Sequence, residues 1–333
     1  MRRSVVVMMT GNRIKIISLL LLSILAGGCV KKTEESSGVG AKPKTVVRFA
    51  TNAGNLPINF GIAKGYFARE GIDLQVVTIS GGVEAVTAAA AGEADLGGMG
   101  SPILVGAVAG VPITIIASPP ASGQHFVLVS KPQYKSFAEL KGKPVSPGSP
   151  GQGTIQAFNV IAKAKGFKPS DFQYVNAGTS GNALAALQTG KVEAVITSEI
   201  VGVKAELEGF GKVLESAADY FGHYQHSFIF ATKSFIQEKP ETVRGFLAAY
   251  RKTVDYLKAH PDEAIEFAIK ELHQDEIPYK KLYAKEIPAW DTSGRIDFVG
   301  TEHALTILKD LGDIDPKSQV TAHQIVDEQF IPQ

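Results

Sequence analysis

VVRFATNAGNLPINFGIAKGYFAREGIDLQVVTI, residues 46–79, decides the fold class. Its first six residues are rich in β-branched side chains and read as a strand. Residues 57–70 carry Ile58, Ile62 and Tyr66 at helical spacing and stop at Gly71; residues 74–79 read as a second strand. A strand, a helix and another strand of this size make a βαβ unit, in which the strands run parallel and the helix packs on the sheet. The same grammar continues through helix 82–91, strand 95–99, helix 102–109 and strand 113–117.

A second round follows. Strands are expected over 125–130, 144–146, 172–175, 194–197 and 227–231, with a helical turn at 137–140 and helices over 154–165, 183–189 and 204–208. Helices then fill 240–260, 261–272, 277–289 and 301–311, with a last one near His323. Two α/β rounds and a helical tail predict two lobes, each a mainly parallel or mixed sheet flanked by helices, with a cleft between them. The expected boundaries are 45–123 with 227–333 for the first, discontinuous lobe and 124–226 for the second.

The amino terminus sets the compartment. Arg2, Arg3, Arg13 and Lys15 precede an apolar run over 16–26, and small residues lead into Cys29, the one cysteine of the chain. This is the layout of a bacterial lipoprotein signal over residues 1–28, with Cys29 as the lipid acceptor. The run is about half the roughly 20 residues a spanning helix needs. Ala26 stands where such signals usually carry Leu, and Leu25 sits one residue further back. Residues 29–44 are rich in Lys, Glu, Ser and Gly and read as a flexible tether. The expected location is outside the cytoplasm, anchored to a membrane that faces the periplasm or cell exterior. A single cysteine leaves no internal disulfide, so a hydrophobic core must hold the fold. A net charge of +1 without a dense basic cluster excludes nucleic acid as a partner.

Residues 63–73, AKGYFAREGID, resemble the helix-to-strand segment of solute-binding proteins from ABC importers for sulfonates, taurine, nitrate and thiamine-precursor pyrimidines. GEADLGGMGS (92–101), ELKGKPV (139–145), GFKPSD (166–171) and GKVEA (190–194) agree with that family in order and spacing. A phenylalanine, a Glu-Lys-Pro-Glu turn and a long helix over 235–256 fit as well. The resemblance implies a periplasmic-binding-protein-like fold and a monomer that captures a small polar or anionic solute for an ABC permease, with no cofactor and no catalysis. One departure bears on the solute. After the strand ending at Ile196 this chain has Thr197, Ser198 and Glu199 in place of an aromatic and acidic cluster, which weakens an aliphatic sulfonate. Glu199, if it points inward, favours an amine or a hydrogen-bonding ring.

In open α/β sheets, ligands sit beyond the carboxyl ends of the strands. The candidates there are Asn52, Asn55, Ser80, Gly81, Gly82, Gly100 and Ser101 in the first lobe. In the second they are Gln152, Gly153, Thr154, Thr179, Ser198 and Glu199, with His125 opening a strand near the lobe crossing. Small and hydroxylic residues before helices leave backbone N–H groups free for polar ligand atoms. Each taken alone also reads as an ordinary cap or turn. PGSPGQGT, residues 147–154, has P-loop glycine spacing, but Thr154 stands where the phosphate-binding lysine must be, which argues against nucleotide hydrolysis.

Other patterns carry less. Tyr66 and Phe67 lie between Gly65 and Gly71 and read as packing residues. Glu93 and Asp95 look like a catalytic carboxylate pair but read as helix-end and surface groups. His223 and His226 form an H-x-x-H with no third ligand nearby, Trp290 reads as core, and residues 178–181 do not form a nucleophile elbow. Two rival functions remain. One is an enzyme on the same fold, such as a dehydratase or pyrimidine synthase, which export and the single cysteine disfavour; the other is the binding subunit of a sensory system.

Overall fold

The computed structural model describes residues 44–178 and 180–333. The expected signal, the acceptor Cys29, the tether up to residue 43 and the candidate Thr179 lie outside the described residues.

The opening βαβ unit forms with β1 (Thr45–Thr51) parallel to β2 (Ile72–Thr78) from Thr45↔Ile72 to Thr51↔Thr78. Its crossover holds two helices where the sequence predicts one: α1 (Leu56–Ala63) and α2 (Tyr66–Arg69). Gly65 separates them at φ +69°, a left-handed conformation that glycine takes without a Cβ penalty. Then come α3 (Gly82–Ala90), β3 (Leu96–Met99), α4 (Pro102–Val108) and β4 (Ile113–Ala117).

The second round runs β5 (Phe126–Ser130), β6 (Pro144–Ser146), α5 (Gly153–Ala164), β7 (Gln173–Tyr174), α6 (Ser180–Gln188), β8 (Ala194–Ser198) and α7 (Glu199–Leu207). It ends with β9 (Lys212–Ser216) and α8 (Ala218–Phe221), which the sequence reading does not anticipate. The chain returns through β10 (Phe228–Thr232), α9 (Lys233–Glu238), α10 (Pro240–Ala259), α11 (Pro261–Glu271), α12 (Glu276–Ala289), α13 (Phe298–Leu311) and α14 (Ala322–Ile325).

Two five-stranded mixed sheets result, in the orders β2-β1-β3-β10-β4 and β7-β6-β8-β5-β9. β10 runs antiparallel to β3 and β4, and β5 runs antiparallel to β8 and β9. This reversal positions the site. An antiparallel strand begins where its parallel neighbours end, so the residues entering β5 and β10 lie at the loop-rich edges. The crossings that feed them are tied together: the His226 N–H donates to the Ser122 carbonyl at 2.6 Å, and Gln225 Nε2 donates to Ser118 Oγ at 3.2 Å.

α10 packs on α1 and α2 over a stack of Phe67, Phe246 and Phe49, and Trp290 is buried in the same cluster. The helical tail touches both lobes. α12 packs on α7, where Lys204 pairs with Asp275 at 2.6 Å, and α13 packs on α5.

Candidate functional site

The loops after β2, β3 and β6 interlock with the entries to β5 and β10. A Cβ on Gly81 would overlap the Gln152 amide, and one on Gly100 would lie 2.5 Å from His226 Nε2. One on Gly153 would lie 3.0 Å from His226 Cε1, and Gly82 packs against Pro102 at a similar distance. Glycine is needed here for close approach between chain segments. Ser101, fully buried at the start of α4, donates its hydroxyl to Gln156 Oε1 on α5, so a hydrogen bond joins the two lobes. The Tyr224 ring stacks toward His226, and its hydroxyl sits beside Ser101. His125 and Phe126 meet the His226 ring edge-on, each with centroids 5.2 Å away.

These groups are short of partners. Gln156 Nε2 and His226 Nδ1 are buried with no hydrogen bond, and both residues are at most 3 % exposed. Thr197 Oγ1, at the carboxyl end of β8, is in the same condition. A buried polar atom left unpaired costs about 1–3 kcal/mol, so native proteins rarely keep such atoms together without a purpose. Burial holds the His226 imidazole well below its ordinary range, and the neighbouring His125 adds to this, so the ring is neutral. His125 is lowered as well by crowding, although its exposed side weakens the effect. Burial pushes the Tyr224 hydroxyl and the Asp313 carboxyl up; the Gln156 amide faces Asp313 and partly offsets that rise, although no hydrogen bond of ordinary geometry joins the two.

The cleft therefore brings together Gly81, Gly82, Gly100, Ser101, His125, Gln152 and Gly153 from among the sequence candidates. Others serve their own loops. Asn55 Oδ1 accepts from the Ile58 N–H at 3.2 Å and caps α1, while its Nδ2 donates to Thr51 Oγ1 at 2.9 Å. The Ser80 N–H donates to Glu84 Oε2 at 2.6 Å, and Asn52 is exposed beside Met99. The Thr154 hydroxyl lies over Gly148, which has φ +101°. Ser198 occupies the cap position of α7 without a side-chain bond. The Glu199 N–H donates to the His125 carbonyl at 3.0 Å; on α12, Glu286 is raised to about 7 chiefly by burial and also by the Glu199 carboxylate.

Sequence reasoning did not select Gln156, Tyr224 or His226. Their partners are set by the lobe crossing rather than by local spacing; the available signal was the return of the chain into an antiparallel strand. His223 and His226 do not act together, since exposed His223 pairs with Asp297 while His226 faces inward. Asp95 accepts from Arg48 Nη2 at 2.6 Å and from the Arg48 N–H at 2.8 Å, a structural tie between β1 and β3. Among the described residues, no group of three His, Cys, Asp or Glu side chains is arranged to hold a metal.

Two mixed sheets with helices on their faces and a polar seam at the lobe crossing define a periplasmic-binding-protein fold. The chain belongs to the NMT1/THI5 like family, whose family model matches residues 52–264. It is similar to the formylaminopyrimidine-binding protein of Halalkalibacterium halodurans, with 24% identity over 82% of each chain. It is also similar to the 4-amino-5-hydroxymethyl-2-methylpyrimidine phosphate synthase THI12 of Saccharomyces cerevisiae, at 28% identity over 63% of this chain and 65% of that one. Its fold is similar to that of the periplasmic aliphatic sulphonate binding protein SsuA of Escherichia coli, with a TM-score of 0.70, 20% identity, and coverage of 85% of this chain and 97% of that one.

Proposed function

We propose that this protein is an exported, lipid-anchored solute-binding protein that captures a small polar solute between its lobes and delivers it to an ABC permease. The observation that carries this reading is the set of buried, underpartnered polar groups at the lobe seam, Gln156 and His226 above all, where a solute's atoms complete the hydrogen bonding. The lobes are proposed as residues 45–123 with 227–333, and residues 124–226. The signal and tether are proposed as 1–28 and 29–44. Closure of the lobes around the solute gives the permease a form to recognise, and the tied crossings at Ser118, Ser122 and Gln225 act as the hinge. Among the described residues, the contacts that meet in the seam involve no lysine or arginine, which favours an uncharged nitrogen heterocycle over a sulfonate or nitrate. The formylaminopyrimidine-binding relative supports the same choice.

A thermal-shift panel of formylaminopyrimidine, hydroxymethylpyrimidine, taurine and nitrate tests this. A true solute stabilises by about 2.7 kcal/mol at a hundredfold excess over Kd. No shift with any of the four sinks the solute assignment. The yeast relative supports a second reading, a pyrimidine-forming enzyme. Mass spectrometry of the solute after prolonged incubation separates the two, because a binding protein returns it unchanged. The anchor has its own test: Cys29→Ser moves a lipoprotein from the membrane to the soluble exported fraction, and an unchanged membrane fraction counts against the anchor.

A further inference from the structure

His226 has a fixed backbone and a crowded ring whose two nitrogens make no hydrogen bond. Its N–H is bonded to the Ser122 carbonyl, and its Nε2 edge fills the space above Gly100. The ring is bounded by Gly153 and Phe126 of the second lobe and by Tyr224 of its own segment. Neither ring nitrogen makes a hydrogen bond, and Nδ1 is the one also shut off from solvent, on a residue 3% exposed. We propose that His226 Nδ1 is the atom that orients the solute and selects for an uncharged hydrogen-bonding group, such as a ring nitrogen, an amide or a hydroxyl.

The selectivity follows from the surroundings. The titratable groups facing this ring are His125 from the entry to β5 and Tyr224 from its own segment, with Asp313 beyond Tyr224. None is a resident cation, and the low-polarity packing keeps the imidazole neutral. A neutral imidazole presents either a donor or an acceptor at Nδ1, depending on tautomer, and complements neutral partners of both kinds. It offers an anion no charge compensation at this nitrogen.

This inference rests on the solute-binding reading, and the experiment separates the two. Formylaminopyrimidine and taurine are titrated calorimetrically into the wild-type protein, His226→Phe and His226→Asn. In parallel, ring nitrogen resonances are followed in protein labelled with 15N-histidine. Phenylalanine keeps the ring shape and loses the nitrogen; asparagine keeps a polar atom near the Nδ1 position. The expected result is formylaminopyrimidine binding to wild type, an affinity about 5- to 150-fold weaker in His226→Phe, and partial recovery in His226→Asn. The Nδ1 resonance of His226 moves on addition of formylaminopyrimidine while that of exposed His223 does not. Equal affinity in wild type and His226→Phe leaves the cleft as the binding site and overturns the role of His226. Binding of taurine in preference to formylaminopyrimidine overturns the selectivity. If neither probe binds, the solute assignment falls, and this inference with it.

Discussion

The phenylalanine stack beneath α10 and the polar seam between the lobes are equally dry, yet burial does opposite things in them. Phe49, Phe67 and Phe246 are at most 1% exposed, and their rings stack at 5.2 and 5.4 Å, so each buried face meets another apolar surface. In the seam, Ser101, Gln156 and His226 are buried to the same degree, but donors and acceptors outnumber partners. The three-ring stack is complete when the chain folds, although Trp290 Nε1, in the same cluster, is also buried without a partner. On the proposed function, the second region is finished by the bound solute.

The largest expected effect comes from the finished region. Phe246→Ala opens a cavity among three aromatic neighbours, Phe49, Phe67 and Tyr250, and should destabilise by about 3–5 kcal/mol in denaturant unfolding. Solute affinity of the folded fraction should not change. A matching loss of affinity would mean that the two regions are coupled through α10, which would break the comparison.

The seam should answer in the reverse sense. Gln156→Met keeps the length of an unbranched side chain and removes both the orphan Nε2 and the acceptor of the Ser101 hydroxyl. Stability without solute should fall by about 1–2 kcal/mol, because relief of the Nε2 desolvation cost only partly offsets the loss of the acceptor for the buried Ser101 hydroxyl. Affinity for the solute found in the panel should drop about 5- to 150-fold. A large loss of stability with unchanged affinity would make Gln156 a structural residue.

Acidity separates the seam from its flank. His226 is held below its unfolded value near 6.5, so between these values the unfolded chain binds more protons, and stability is lost as pH falls below about 6.5. Glu286 behaves oppositely. Raised from 4.5 to about 7 by burial and by Glu199, it binds more protons in the folded state, and stability is lost as pH rises through that window. Glu286→Gln should therefore stabilise by about 1 kcal/mol at pH 8 and hardly at all at pH 4.5, a modest figure because water reaches this half-buried carboxyl. Equal effects at both pH values would remove the Glu199–Glu286 repulsion from the account.

The contrast also explains what the sequence could show. The βαβ alternation and the helical tail were legible because burying a sheet face or a helix stripe imposes a period on the chain. The break at Gly65 was blurred, since apolar spacing continues through it from Ile62 to Phe67. β9, KVLES, mixes charged and apolar residues with no alternation of its own and takes its place from pairing with β5. In the site, the glycines and Ser101 were legible as strand-end loops. Gln156 and His226 were not, because a glutamine inside a helical pattern and a histidine between two lobes have no local mark. Ser101 and Gln156 stand 55 positions apart and meet only through the crossing.

Thr154 gives the smallest effect and the sharpest division between the two kinds of loop residue. By position it heads a glycine-rich loop at a helix start, the place where a polar ligand group would be expected. Its hydroxyl instead lies over Gly148 of the same loop, in the space a Cβ there would occupy. Gly148 at φ +101° tolerates this because it has no side chain. Thr154→Val preserves the shape and removes the hydroxyl, so the expected outcome is a stability loss of about 0.5–1 kcal/mol with an unchanged dissociation constant. Gly148→Ala should cost more than Thr154→Val, because a methyl group there meets the Thr154 hydroxyl and must also adopt the left-handed conformation. Calorimetry and thermal denaturation of the two variants read both quantities. A fivefold or greater loss of affinity in Thr154→Val would show that the hydroxyl turns outward when the solute arrives, and would extend the seam from Gln156 to the start of α5.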